Sequence, residues 1–197
     1  GDSEGILVGL IAHPADMRAV AQNMPSAYNL LPSLKYFNEV SDPVITFDEN
    51  SSFTEAWRNF WGPTINTYDE FFSFMTGEGV TRTRPAEDIL YIPEILRPEL
   101  LTDANTFHNQ YDSYQFPAHI RVVQVAGWGS PTVKAVEYKN NHGIPGYRTL
   151  FTVEGDKTVV YPSAVLSTTA DETYYFNLAV YNALESIPDS QHRDLFT

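Results

Sequence analysis

Two residues near the C-terminal end have the types and the order that acid–base chemistry at a serine requires. Asp156 follows the apolar segment Tyr147 to Val153 on a turn with Gly155, and His192 lies in a polar segment further along. A carboxylate that orients a histidine makes it a general base, and acid before histidine is the order of many Ser–Asp–His triads. The ordinary alternative is a surface aspartate on a turn and a solvated loop histidine.

The sequence offers no clear nucleophile for this pair. Gly1 to Gly5 formally matches the pattern G-x-S-x-G, with Ser3 at its centre. That pattern works where a strand delivers the serine to a strained turn, and the sequence shows no strand before Gly1. We therefore do not assign Ser3 as the nucleophile. Without a nucleophile the chain alone is expected to be inactive, because an acid and a histidine cannot form an acyl-enzyme.

Composition excludes several classes of partner and chemistry. The net charge is −13 at pH 7 over 197 residues, which repels a phosphate backbone, so no nucleic acid is expected as a partner. The chain contains no cysteine, which excludes disulfides, thiolate metal sites and a cysteine nucleophile. No apolar run approaches the roughly 18 residues of a transmembrane segment. These properties leave the compartment open.

No cofactor or metal is expected either. Gly127-Trp128-Gly129 lacks the third glycine of a dinucleotide fingerprint. His13 with Asp16, or His108 with His119, are pairs that could be considered as metal ligands, but neither has the spacing of a known metal motif.

The elements that must position these residues fall into two regions, which together predict an α/β fold. Residues 1–115 are expected to be mainly helical. Helices are predicted after Pro14, from capping boxes at Ser52 with Glu55 and Thr67 with Glu70, and from Pro98 through Tyr111, with stops at Gly62 and Gly77. Residues 116–197 are expected to carry strands at 119–126, 133–138, 147–153 and 173–178.

Aromatic residues are concentrated in the predicted helical region. The candidate substrate-binding residues are Trp57, Phe60, Trp61, Phe71 and Phe74. Such a concentration suits a surface that binds an acyl chain. The alternative is a plain hydrophobic core, since aromatics at helical spacing usually pack inside.

Four segments, in this order, resemble one known family. Asn23 to Ser33 (NMPSAYNLLPS) is similar to the "PSxYxLLPS" segment of lipase-like α/β-hydrolases related to lecithin:cholesterol acyltransferase. Val125 to Thr132 resembles the strand and glycine-rich loop before that family's acid. Gly155 to Ala164 (GDKTVVYPSA) resembles its "GDGTVPxxSA" acid loop, and Gln191 to Leu195 resembles its histidine loop.

The resemblance implies a partial α/β-hydrolase, with a helical cap followed by the last strands of the sheet. It implies a serine esterase, lipase or acyltransferase acting on lipid-like esters, in which Asp156 orients His192 as general base. The family's nucleophile elbow and oxyanion-hole loop would lie upstream, in the other half of the same parent protein. This chain departs from the family pattern at Lys157, which replaces a glycine, and in lacking a final helix after the histidine loop.

A hypothesis of another class is a non-catalytic ligand- or partner-binding domain that reuses part of the fold. A sheet without its first strands would expose an edge, so self-association through that edge is a further expectation. The two hypotheses differ in geometry. A triad remnant requires the Asp156 carboxylate to lie about 2.6–3.2 Å from a ring nitrogen of His192.

Overall fold

The computed structural model describes residues 14–82, 84–86, 89–112, 114–165, 170–185, 190–191 and 195. These residues form a mixed α/β structure, which confirms the coarse fold class. Three residues considered above, Ser3, His13 and His192, lie outside the described residues. Within the described ranges, no helix has the length and the apolar character needed to cross a bilayer.

Helices come first along the chain, and most of the strand residues follow. The α-helices of the described ranges are α1 (Pro14–Gln22), α2 (Pro25–Tyr28), α3 (Leu34–Glu39), α4 (Glu55–Trp61), α5 (Tyr68–Thr76), α6 (Pro98–Tyr111), α7 (Tyr161–Ala164) and α8 (Leu178–Glu185). The strands are β1 (Ile45–Phe47), β2 (Thr64–Ile65), β3 (Val123–Trp128), β4 (Thr132–Asn141), β5 (Ile144–Thr152) and β6 (Glu172–Asn177).

Local capping chemistry explains where α5 begins and ends. The Thr67 hydroxyl accepts the N–H of Glu70 at 3.3 Å, and the Glu70 carboxylate accepts the N–H of Thr67 at 3.1 Å. This capping box and the stop at Gly77, which has a left-handed φ of 74°, confirm the sequence prediction. The helix predicted from Pro98 to Tyr111 is also confirmed.

The second predicted capping box, at Ser52 with Glu55, is wrong. Ser52 begins a short 3₁₀ turn, and the N-cap of α4 is Thr54, whose side chain does not cap the helix. The Thr54 hydroxyl instead donates to the carbonyl oxygens of Asp48 at 3.1 Å and Ser51 at 3.2 Å. The predicted helix α4 is therefore present, but a 3₁₀ turn occupies the position where its N-cap was expected.

The larger sheet joins the two predicted regions. Its strand order is β2-β1-β4-β5, and β1 is antiparallel to β2 but parallel to β4, with Ile45 opposite Val136. β4 and β5 form an antiparallel hairpin whose turn contains His142 and Gly143, both at positive φ. Since β1 precedes residue 115 and β4 follows it, one sheet spans the predicted boundary.

An aromatic core lies against this sheet. Phe74 of α5 is 0% exposed. Its ring centroid lies between 5.4 and 5.9 Å from the ring centroids of Phe47, Trp57, Trp61 and Tyr138. Rings at these distances and tilts stabilise one another beyond the burial of their surface. Tyr138 belongs to β4, so the core draws a strand of the C-terminal region into contact with the helices.

β3 and β6 form a separate two-stranded sheet. They are parallel and in register from Val123 opposite Glu172 to Trp128 opposite Asn177. Parallel strands are normally covered on both faces. Tyr174 and Tyr175 point to opposite faces of β6 and are 55% and 57% exposed, so both faces of this sheet are accessible in the described structure.

Candidate functional site

Asp156 lies in the loop after β5 and is 3% exposed. Its backbone forms a parallel bridge with Ser130, just beyond the end of β3. Carboxylate oxygen Oδ1 accepts the backbone N–H groups of Thr158 at 3.1 Å and Val159 at 2.9 Å. The carboxylate is therefore buried and held in one orientation, and the alternative of a surface aspartate is wrong.

The turn that carries Asp156 is built from close backbone approach. A Cβ atom on Gly155 would lie 2.5 Å from Oγ1 of Thr132 and 2.7 Å from the carbonyl oxygen of Val159, so only glycine fits there. Lys157, on the other side of Asp156, has a left-handed φ of 76°. The side chain that bonds across this turn is Thr132, whose Oγ1 accepts the Lys157 N–H at 2.8 Å.

Leu195, a described residue shortly after His192, lies close to this loop. A Cβ atom on Gly127 of β3 would lie 2.9 Å from Cβ of Asp156 and 3.1 Å from Cδ1 of Leu195. Leu195 is three residues after His192 and lies beside Gly127 of β3, next to Asp156. Ser190, two residues before His192, is buried. The distance of about 2.6–3.2 Å between the Asp156 carboxylate and a ring nitrogen of His192 stays a prediction, because His192 lies outside the described residues.

A cleft of about 990 Å³ lies beside the acid loop. Its walls come from the segment after α2, the end of α6 and its continuation, strands β3 and β4, and residues 158–160 with α7. The lining is mainly apolar and includes Leu30, Leu31, Tyr111, Tyr114, Phe116, Val133, Val136, Val159 and Val160. An apolar cleft with a few polar groups is the usual form of a small-molecule site.

The "PSxYxLLPS"-like segment forms one rim of this cleft. Tyr28 is buried, and its hydroxyl donates to the carbonyl of Gln22 at 2.8 Å and accepts the N–H of Arg97 at 3.1 Å. Ser33 caps α3, since its Oγ accepts the N–H of Tyr36 at 3.2 Å. These two side chains fix the ends of residues 29–32, which line the cleft.

A polar cluster that sequence reasoning missed ties this rim to α6. His108 Nδ1 lies 3.0 Å from a carboxylate oxygen of Asp112, and its Nε2 lies 2.9 Å from the carbonyl oxygen of Asn29. Lys35 donates to the carbonyl of Asp112 at 2.9 Å. The only sequence signal was the i,i+4 spacing of His108 and Asp112 on one helix. These bonds connect the rim formed by residues 29–32 to the C-terminal end of α6, which forms another wall of the cleft.

The predicted substrate-binding aromatics divide between the core and the surface. Trp57, Trp61, Phe71 and Phe74 are buried in the hydrophobic core, which agrees with the alternative interpretation for these four residues. Phe60 is exposed and lies over Gly79. Phe71 is the one member of this set that lines the cleft among the described residues.

Tyr138 is a further cleft residue, and its environment excludes it as a base near neutral pH. Burial raises the pKa of Tyr138 to about 12, and the positive charge of Arg82 opposes this rise only in part. The phenol therefore stays neutral over the ordinary pH range. Among the described residues, no group of three or more His, Asp or Glu side chains converges in the way that a metal site requires.

Comparison with known proteins adds no family assignment. No protein-family model matches the chain, and no curated protein matches it in sequence. The family resemblance therefore rests on the four segments quoted above.

Proposed function

We propose that this chain is the acid-and-histidine portion of a serine esterase, lipase or acyltransferase that acts on lipid-like esters. In this proposal the fold is a partial α/β-hydrolase. The observation that carries it is the Asp156 carboxylate, which is 3% exposed and receives two backbone N–H groups on one oxygen. A triad acid needs this fixed orientation, because it must hold a histidine in one tautomer and stabilise the imidazolium.

The proposed chemistry is acyl transfer through a serine supplied by sequence upstream of residue 1. His192 takes the serine proton as the oxygen attacks the ester carbonyl, and Asp156 stabilises the resulting imidazolium. The imidazolium then protonates the departing alcohol, which leaves an acyl-serine. Water or an alcohol attacks the acyl-serine by the same steps, with His192 again as the base.

The position of Leu195 supports the pairing of Asp156 with His192. Both Leu195 and Asp156 approach Gly127 so closely that a Cβ atom on this glycine would lie within 3.1 Å of each. A chain that returns to this strand three residues after His192 can present an imidazole to the acid loop. In the proposal, Nδ1–H of His192 donates to the carboxylate of Asp156.

The cleft supports an ester with a substantial apolar part. Residues 158–160, directly after Asp156, form part of its wall, and Phe71 forms another part. An acyl chain lying between these walls would bring its ester group towards the acid loop. The apolar lining favours such a chain over a charged substrate.

The exposed two-stranded sheet supports an upstream half as the partner. Parallel strands are rarely stable as an open pair, since their faces need cover. Val125 on β3 and Phe176 on β6 are exposed apolar residues of this kind. In the proposal, the strands and helices of the nucleophile half cover this sheet; self-association of the chain is the alternative occupant.

The test is ester hydrolysis by this chain and by a longer parent that includes the preceding sequence. Short- and long-chain p-nitrophenyl esters serve as substrates, with Asp156→Asn and His192→Ala introduced into both forms. We expect activity in the parent and a fall in kcat on the order of ten-thousand-fold in each variant. Asp69→Asn and His142→Ala, at exposed positions away from the cleft, are the matched controls and should retain activity.

The cleft also favours a second candidate, a non-catalytic domain that binds an apolar ligand. Its volume of about 990 Å³ and its apolar lining need no catalytic group to be useful. Displacement of a fluorescent fatty acid from the chain measures this directly. Binding without hydrolysis by chain or parent would support the binding domain and overturn the esterase proposal.

A further inference from the structure

We infer that Thr132 is a positioning residue for Asp156, acting through the backbone of the acid loop. The inference rests on the proposed function, in which Asp156 orients the general base. Thr132 is the first residue of β4, 25 positions before Lys157, and is 1% exposed. Its side chain contacts the loop that carries Asp156 rather than the substrate cleft.

The peptide units on both sides of Asp156 are bonded to the same short segment, Ser130 to Thr132, where the chain enters β4. Before Asp156, the carbonyl of Gly155 accepts the N–H of Ser130 at 2.9 Å. After Asp156, the N–H of Lys157 donates to Oγ1 of Thr132 at 2.8 Å. The same hydroxyl donates to the carbonyl of Ser130 at 2.9 Å, which fixes its own direction.

Of these two bonds to the acid loop, the one from the Lys157 N–H is accepted by a side chain, the Thr132 hydroxyl. Lys157 has a φ of 76°, a left-handed conformation that residues other than glycine rarely adopt. Such a conformation persists where surrounding contacts over-determine it. The Thr132 hydroxyl provides one of these contacts. If it is lost, we expect the turn to relax and the Asp156 carboxylate to change direction.

The close approach of Gly155 to Thr132 supports this view of the turn. A Cβ on Gly155 would lie 2.7 Å from Cβ of Thr132, so the threonine side chain fills the space beside the loop. The hydroxyl bonds the loop and the rest of the side chain packs against it. Small changes of direction at Asp156 reduce turnover, because a general base depends on the orientation of its supporting acid.

The experiment separates the hydroxyl from the shape of the side chain. Thr132→Val keeps the shape and removes the hydroxyl, whereas Thr132→Ser keeps the hydroxyl. In the active parent we expect Thr132→Val to lower kcat by about 10- to 100-fold with KM changed by less than about twofold. Thr132→Ser, which keeps the hydroxyl, should have a kcat within about threefold of that of the unaltered enzyme.

Thr54→Val is the matched control for a purely structural effect. Thr54 is also fully buried, and its hydroxyl also donates to backbone carbonyls, but it belongs to the 3₁₀ turn before α4. Thr54→Val should lower the thermal midpoint by an amount similar to Thr132→Val and leave kcat unchanged. A second readout, independent of activity, is amide exchange at Lys157, Thr158 and Val159, which Thr132→Val should accelerate and Thr132→Ser should not.

The outcomes distinguish this inference from the proposed function. Unaltered kcat and amide exchange in Thr132→Val, with Asp156→Asn inactive, would overturn the role of Thr132 and leave the proposed function intact. Hydrolysis that survives Asp156→Asn would overturn the proposed function itself. A loss of kcat in Thr54→Val equal to that in Thr132→Val would also overturn the inference, because the effect would then follow stability alone.

Discussion

The aromatic core and the acid loop are held together by opposite means. The core consists of large rings, and Phe74 alone has four ring neighbours within 6 Å. The acid loop is held by hydrogen bonds of its backbone to the Ser130 N–H and the Thr132 hydroxyl, and Gly155 has no space for a methyl group. Side-chain packing is the main source of stability in the aromatic core, whereas close backbone contacts and hydrogen bonds to the backbone are the main source in the acid loop.

The two regions should therefore be sensitive to opposite kinds of substitution. A core of rings loses stability when a side chain becomes smaller, because a cavity remains. A loop of close backbone contacts loses stability when a side chain becomes larger, because the backbone must move.

Phe74→Ala should lower the free energy of unfolding by about 3–5 kcal/mol, because it removes a fully buried ring and leaves a cavity. Urea unfolding of the chain measures the change. Phe151→Ala is the control, because Phe151 lies on β5 and is 58% exposed. We expect that variant to stay within about 0.5 kcal/mol of the unaltered chain. Equal losses in the two variants would contradict the placement of the core.

Tyr138 should make the link between the core and β4 sensitive to alkali. Its pKa is raised to about 12 in the folded chain, against an ordinary value of 10.0, chiefly by burial. The stabilising contribution of the neutral phenol is complete below pH 10 and is lost as the pH rises towards 12, because only the unfolded state ionises readily. The loss approaches about 3 kcal/mol at most.

Urea unfolding at pH 9 and near pH 11.5 measures this loss, with Tyr138→Phe as the key variant. The unaltered chain should lose more stability between the two pH values than Tyr138→Phe does. Tyr147→Phe, at an exposed tyrosine opposite Tyr138 in the hairpin, should behave as the unaltered chain. The same pH dependence in the unaltered chain and in Tyr138→Phe would show that other tyrosines account for it.

Gly155→Ala should destabilise the chain by about 1–3 kcal/mol, since the added Cβ would lie 2.5 Å from Oγ1 of Thr132. The double variant with Thr132→Ala tests the cause. If the clash with Oγ1 of Thr132 dominates, the combined loss is smaller than the sum of the two single losses. Additive losses would place the conflict at the two atoms that Thr132→Ala leaves in place, Cβ of Thr132 and the carbonyl oxygen of Val159, each 2.7 Å from the added Cβ. Thermal unfolding of the four chains measures the cycle.

Local chemistry allowed much of the fold to be predicted from the sequence. The capping box of Thr67 and the stop at Gly77 are formed by neighbours in the chain, so their residues alone indicate the helix. The pairing of β1 with β4 could not be predicted in the same way. Ile45–Phe47 is only three residues long, too short for an alternating pattern, and its partner lies some ninety residues later.

The candidate site shows the same limit. Asp156 could be singled out because it follows an apolar segment on a glycine turn, but its burial depends on Ser130 and Thr132, which are distant in the sequence. The aromatics could be placed on helices by their spacing. Periodicity does not tell whether a residue meets the core or solvent, so buried Trp57 and exposed Phe60 could not be distinguished before the structure.

A variant at the N-cap of α5 tests how much of the stability of the core region comes from helix caps and how much from packed rings. Thr67→Ala removes the cap of α5 and should cost about 1 kcal/mol. Ser52→Ala is the control, because that serine was expected to cap α4 and does not. It should change the free energy of unfolding by less than about 0.5 kcal/mol.

Thr67 and Phe74 stand at the two ends of the same helix, so their variants compare a cap with a ring in one element. If packing dominates this region, Phe74→Ala destabilises the chain several times more than Thr67→Ala in the same urea titration. A loss at Thr67 as large as that at Phe74 would mean that α5 is held chiefly by its own hydrogen bonds. The contrast between a region of packed rings and a loop of backbone contacts would then fail, because hydrogen bonds would dominate both.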